Sequence, residues 1–151
     1  MAGGERRPGL AELDALVGEW TMEADFGGEP QRGGSVSFEW LPGETFLVMR
    51  WEVPVPEAPD GLAVIGWDEE RGALVQHYFD SRGVARLYEV ALKGGEWTLS
   101  RTEANFSPLD FSQRYAGTFS EDGRRIDGEW QICHDGETWE RDFGLSYVRT
   151  G

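Results

Sequence analysis

From Trp20 onward, apolar and polar residues alternate along the chain with a period of two, and short clusters of turn-forming residues interrupt the alternation. The alternating segments are EWTMEADF, GSVSFEWL, TFLVMRWEV, LAVIGWD, ALVQHYFD, ARLYEVAL, EWTLSRT, FSQRYAGTF, RIDGEWQIC and TWERDFGLSYVR, about ten strands of ordinary length. Most connectors (DEERG, DSRG, KGG, EDGR, HDGE) carry the Gly and Asp that tight hairpin turns require. Two are longer. PVPEAPDG (54–61) has three prolines and is excluded as a central strand, and EANFSPLD (103–110) is placed to cover an opening. Ahead of Trp20 the period is helical, with Leu10, Leu13, Leu16 and Val17 on one face and Gly18 as a stop. A long meander curls and closes because closure removes its exposed edges. The pattern therefore predicts an all-β fold, a single up-and-down antiparallel β-barrel of about ten strands with a short N-terminal helix that plugs one end. A flatter two-sheet sandwich is the alternative. Residues 1–9 read as a disordered tail and 10–150 as one barrel domain, with no repeat or internal boundary.

Taking the more apolar set of each strand as inward places Trp20 and Met22, Val36 and Phe38, Met49 and Trp51, and Ile65 and Trp67 inside. The fifth strand contributes Val75, His77 and Phe79, and the sixth Arg86, Tyr88 and Val90. The following strands contribute Trp97, Leu99 and Arg101, then Phe111, Gln113 and Tyr115, then Ile126, Trp130 and Ile132. The last contributes Trp139, Arg141, Phe143, Leu145 and Tyr147. The ionised residues on this inward set are all arginines: Arg86, Arg101 and Arg141. The acids Glu23, Glu39, Glu52, Glu89, Glu129, Glu140 and Asp142 fall on the other face. Arg114 is expected outside, and a bulge would bring it in. A buried cation costs several kcal/mol unless an anion or water compensates it, so a positive interior asks for an anionic occupant.

Charge narrows the partners. The 151 residues carry 28 acids against 14 bases, a net charge of −14, which repels nucleic acid and anionic lipid surfaces. No apolar stretch approaches the roughly 20 residues that span a bilayer, and MAGGERRPGL has no apolar run after its arginines, so a cytoplasmic protein is expected. Cys133 is the only cysteine, which excludes an internal disulfide and a cysteine metal cluster. Lys93, the only lysine, sits in the turn KGGE and offers no Schiff-base site, and the sequon NFS at Asn105 reads as chance. No metal site and no cofactor are expected.

The stretches LVGEW, YFDSRGVARLYEV, FSQRYAGTFSEDGRRIDGEW and DGETWERDFGLSYVR, running from about Leu13 to Arg149, resemble a bacterial family of lipocalin-like domains of unassigned function within the calycin-type barrels. The Gly-x-Trp of Gly18 and Trp20 is similar to the first strand of lipocalins and fatty-acid-binding barrels, and the strand count is closer to the fatty-acid-binding and nitrobindin branches. The resemblance implies a barrel with an internal cavity. It also implies two things that the residues can be compared with. Fatty-acid-binding barrels hold a carboxylate with interior arginines and a tyrosine, for which Arg86, Tyr88, Arg101, Arg141 and Tyr147 are of the right types, although the Arg-x-Tyr of that family's last strand is absent. Nitrobindin-type barrels hold haem through one histidine, for which His77, placed inward, and His134, in the turn HDGET, are the candidates.

Together these readings predict a small-molecule-binding barrel holding a hydrophobic or aromatic ligand by its anionic group. The expected contacts are Arg86, Tyr88, Arg101, Gln113, Tyr115, Arg141, His77, Trp51, Trp67 and Trp130. The alternative is a cyclase, isomerase or hydratase acting on a hydrophobic substrate, with His77 or Tyr88 as the proton-transfer group. Further alternatives are a haem-binding barrel and a ligand-free structural domain. The expected partner is a small hydrophobic or amphipathic molecule, and the expected state a monomer or homodimer.

Overall fold

The computed structural model describes residues 9–27, 31–54, 58–106 and 108–150. Ten strands follow a short 3-10 helix (Ala11–Leu16): β1 (Gly18–Asp25), β2 (Gln31–Trp40), β3 (Phe46–Glu52), β4 (Gly61–Asp68), β5 (Ala73–Asp80), β6 (Ala85–Lys93), β7 (Glu96–Arg101), β8 (Ser112–Phe119), β9 (Arg125–Cys133) and β10 (Glu140–Arg149). Each strand pairs antiparallel with the next, and β1 pairs with β10, so the sheet closes on itself. The expected up-and-down barrel is present, and the sandwich is excluded. Most of the predicted 1–9 tail lies outside the described residues.

The two ends of the barrel differ. The helix lays Leu10, Leu13 and Leu16, all fully buried, across one end. The Trp20 indole N–H donates to the Leu16 carbonyl at 2.9 Å, and the Trp40 indole N–H donates to the Asp14 carboxylate at 2.8 Å. Arg149 fixes this plug from the opposite chain end, its guanidinium against the Trp20 ring and on the helix carbonyls. Gly18 allows the approach: its φ is 129°, and a Cβ there would meet the Arg149 guanidinium. No plug covers the other end among the described residues. Its rim includes the β5–β6 and β9–β10 connections and residues 102–106 and 108–111.

The barrel interior is packed with rings. Trp51 stacks on Tyr78, Tyr78 meets Tyr88, and Tyr88 meets Trp130, with centroids 5.3, 6.1 and 5.6 Å apart. Deeper, Trp130, Tyr115, Trp97 and Tyr147 continue the series at 5.4 to 5.6 Å. Rings of this size, edge to face across a barrel of ten strands, fill space that smaller side chains would leave open.

Two strands depart from the predicted facing. In β5 the inward residues are Leu74, Gln76 and Tyr78, which share register with the inward Val90, Tyr88 and Arg86 of β6. Val75, His77 and Phe79 therefore face out. The apolar score misassigned them because the outer face of this sector is itself apolar. In β10 the register shifts between Arg141 and Phe143, a bulge at Asp142. Arg141 consequently faces out and binds Glu129 and Asp25 at 3.1 and 3.3 Å. Trp139 also lies outside, beneath the Arg114 guanidinium, 4.0 Å from its ring centroid. Glu140 shares register with the inward Ile132 and is exposed at the rim, so the acids are not all on the outer register.

Candidate ligand site at the barrel mouth

The inward polar residues gather in the half of the barrel away from the helix, on β5 through β8. Alternation puts Arg86 and Tyr88 on the inner face of β6, and register brings Gln113 of β8 opposite Arg101 of β7. Gln113 is the hub. Its Oε1 accepts from the Tyr88 hydroxyl at 2.9 Å and from the Arg86 guanidinium at 3.4 Å. The Arg86 guanidinium also lies 5.7 Å from the Phe111 ring centroid. Among the described residues no carboxylate pairs with Arg86.

Arg101 is 3% exposed. Its Nε donates to Asn105 Oδ1 at 3.1 Å and its Nη2 to the Asn105 carbonyl at 3.2 Å. Burial lowers the Arg101 pKa and the positive charge of Arg86 lowers it further, against smaller opposing effects of Tyr88 and the Asp110 carboxylate. Burial raises the Tyr88 pKa, opposed by both arginines, so the phenol is a hydrogen-bond donor at neutral pH. The pair of guanidinium groups, the phenol and the carboxamide make a concentration of donors and positive charge at one place in an acidic protein.

Asn105 repairs the wall beside this group. β7 ends at Arg101, and Leu87 of β6 would otherwise lack a partner strand. The Asn105 carboxamide takes that place, accepting from Leu87 N–H at 2.8 Å and donating to the Leu87 carbonyl at 3.2 Å. The side-chain nitrogen of the Asn105 sequon is thus engaged in the sheet edge.

Gln76 adds an unsatisfied acceptor. It is 4% exposed, lies opposite Tyr88 in register, and its Oε1 has no hydrogen-bond partner. The Trp97 indole N–H, deeper in the barrel, is likewise without an acceptor. An unpaired buried polar atom costs about 1–3 kcal/mol, which a bound water or ligand group can recover.

The structure therefore brings together Arg86, Tyr88, Arg101 and Gln113 of the expected set, with Trp130 packed against Tyr88. Trp51 lines the same half through Tyr78, its indole N–H bound to the Pro59 carbonyl at 3.1 Å. Tyr115 sits deeper, donating to the Leu145 carbonyl at 2.9 Å, as part of the ring packing. Arg141 and His77 are outside, and Trp67 packs on the core near the plugged end. His77 and Tyr88, the two proton-transfer candidates, are on opposite faces of the wall. Sequence reading missed Gln76 through the wrong facing of β5, and missed Asn105 because a loop residue that completes a sheet edge carries no periodic signal.

Haem does not fit these residues. His77 points outward, and His134 is exposed in its turn with its ring 5.8 Å from Phe111. The interior is occupied by the ring series. A cleft of about 300 Å³ exists on the outer wall instead, bordered by Phe46, Val64, Trp67 and His77 and by the acids Asp68 and Glu69. No cluster of metal-ligating side chains occurs among the described residues, and no helix there is long and apolar enough to cross a membrane.

The fold and site define a closed ten-stranded antiparallel β-barrel, plugged at one end, with a buried group of arginine, tyrosine and carboxamide side chains toward the other. The crystal structure of Rv2717c from M. tuberculosis is similar to it, with a TM-score of 0.60 over 97% of this chain and 100% of that one, at 13% sequence identity. That likeness is one of fold. No protein-family model and no curated protein matches the chain. The lipocalin-like resemblance accordingly holds at the level of the barrel.

Proposed function

We propose that the protein binds a small amphipathic molecule at the barrel mouth. Its anionic group lies between Arg86 and Arg101, and its apolar part lies against Phe111 and Trp130. The observation that carries this reading is Arg86: a half-buried guanidinium beside a second, buried one, with a carboxamide oxygen at 3.4 Å and a ring as its partners in place of a carboxylate. An anion there relieves the repulsion between the two cations, and paired guanidinium forks match carboxylate, phosphate or sulfonate oxygens. Tyr88 and the Gln113 amide fix the direction of approach. The ring packing from Tyr115 to Tyr147 supports a shallow pose across the mouth rather than a ligand threaded along the barrel axis.

Calorimetric titration with dodecanoate and with dodecanol tests the reading. The wild-type chain binds the carboxylate more tightly than the alcohol, and Arg86→Ala loses about tenfold or more for the carboxylate alone, in line with one charge-assisted contact. Equal binding of both ligands, or an equal loss for both in the variant, would remove the anion from the proposal.

A further inference from the structure

The buried polar side chains of the interior share one register row. Pairing runs Leu47, Ile65, Gln76, Tyr88 across β3 to β6, and Arg101, Gln113 across β7 and β8. The neighbouring Glu89–Ser100 pair sets Tyr88 beside Arg101, so the two runs are continuous. Gln76, Arg101 and Gln113 are 4%, 3% and 9% exposed, and Tyr88 is buried with them. The next inward row toward the plug is Leu74, Val90, Leu99, Tyr115. The polar row therefore lies on the mouth side of the ring packing that begins at Tyr115.

The two carboxamides of this row are used unequally. Gln113 Oε1 accepts twice, from Tyr88 and from Arg86. Gln76 Oε1 accepts nothing, although it is buried. Its neighbours have no donor to give. Ile65 is apolar on one side, and the Tyr88 hydroxyl on the other is committed to Gln113. Along β5 the adjacent inward residues are Leu74 and Tyr78, and the Tyr78 hydroxyl is committed to Asp80 at 2.7 Å. A water at Gln76 needs further polar partners besides this one oxygen. A hydroxyl on an apolar skeleton needs only the one, because its carbons pack on Ile65 and the tyrosine rings.

We infer that Gln76 is a specificity-determining residue of the same site, and that the amphipathic anion bound there carries a hydroxyl group that donates to Gln76 Oε1. This rests on the anion-binding reading above. The surroundings decide the kind of donor. An ammonium would stand on the same inner face as Arg86 and Arg101 and is repelled. An amide would bring a carbonyl that needs a donor of its own, and the unpaired indole N–H of Trp97 lies two inward positions nearer the plug. A neutral hydroxyl meets both conditions. Gln76 and Arg101 stand two strands apart, roughly 10 Å between backbones, so the hydroxyl belongs near the middle of the molecule rather than beside its anionic group.

Calorimetric titration of the full chain with dodecanoate and with a series of hydroxydodecanoates, the hydroxyl at each carbon from about 5 to about 8, tests the inference. At least one member is expected to bind about fivefold or more tighter than dodecanoate, the gain from one hydrogen bond to a waiting acceptor. In Gln76→Leu, and in Gln76→Met as an unbranched second variant, each checked as folded by near-ultraviolet circular dichroism, that ratio is expected to fall to about one. Dodecanoate binding that no hydroxyl position improves overturns the inference, as does a gain that both variants keep. Failure of the anion reading is seen separately, as equal binding of dodecanoate and dodecanol. Binding of neither dodecanoate nor any hydroxylated member overturns both.

Discussion

The Arg149 guanidinium lies 4.1 Å from the centroid of the Trp20 ring, and its two terminal nitrogens donate to the Val17 and Ala15 carbonyls at 2.7 Å each. One side chain from the last strand thereby holds the first strand and the helix that plugs the barrel. Burial lowers its pKa, with the charge of Arg124 adding to the effect, and it stays ionised at all working pH values.

Replacing it tests the plug. Arg149→Met keeps the apolar stem but removes the cation–ring contact and both charged hydrogen bonds. The expected loss is about 2–4 kcal/mol, read from urea unfolding midpoints at unchanged slope. Arg149→Lys is expected to recover only part of it, since an ammonium cannot serve both carbonyls and the ring at once.

Gly128 and Gly117 face each other across β8 and β9, and the Tyr115 ring lies over them. A Cβ at Gly128 would meet the Tyr115 hydroxyl, which is held by the Leu145 carbonyl, and also the Ala116 carbonyl. Gly128→Ala is therefore expected to cost about 1–3 kcal/mol by overpacking. In a Tyr115→Leu background the cost should fall, because the whole colliding ring, its Cζ as well as its hydroxyl, is gone. Equal costs in the two backgrounds would show that the collision lies elsewhere.

Asp80 gives a prediction in acid. Burial pushes its carboxyl up, but the Arg82 side chain, the Tyr78 hydroxyl and the Arg82 backbone N–H outweigh this and hold it at about 2. A carboxyl depressed in the folded state stabilises the fold above its unfolded pKa, near 4, and that stability is lost as pH falls through about 2. The contribution is on the order of 2 kcal/mol. Compared with Asp80→Asn at matched pH, the wild-type advantage should shrink between pH ~4 and ~2. The pairwise comparison separates Asp80 from Asp135, which Thr138 and Glu137 N–H groups also hold at about 2.

In alkali the tyrosines act together. All four (Tyr78, Tyr88, Tyr115 and Tyr147) have phenols raised by burial. The folded state thus keeps protons that the unfolded state releases above pH ~10, and stability falls as pH rises past that point. Phenolate absorbance should stay flat through pH ~10 and then rise for all four in one step that coincides with loss of the near-ultraviolet circular dichroism signal. Ionisation of any tyrosine well before unfolding would contradict the packed ring series.

Much of this architecture is legible in the period-two pattern. The strand count, the plug helix, the inward Arg86, Tyr88 and Arg101, and the outward Arg114 follow from alternation plus turn chemistry. Two failures have physical causes. In β5 both faces are apolar, so Val75, His77 and Phe79 outscored Leu74, Gln76 and Tyr78 although the latter point inward. In β10 a single extra residue at Asp142 inverted Trp139 and Arg141, and the run of charge at Glu140, Arg141 and Asp142 was the visible sign of a strand end that does not alternate. The site itself depends on contacts that cross strands far apart in the chain. Asn105 completing the edge of β6 is one that no local pattern encodes.

The pairing of β1 with β10 also dictates when the molecule can fold. Trp20 pairs in register with Val36 on one side and with Arg149 across the seam, which joins the first strand of the barrel to the tenth. Until β10 pairs, β1 to β9 form at best an open ribbon with two bare edges, and the Trp20 indole has no cation to cover it. Non-local closure of this kind is slow, and the waiting chain is exposed to edge-to-edge pairing with its neighbours. Closure of the barrel thus waits for β10, and the interval in which it is most prone to aggregate ends when Arg149 reaches Trp20.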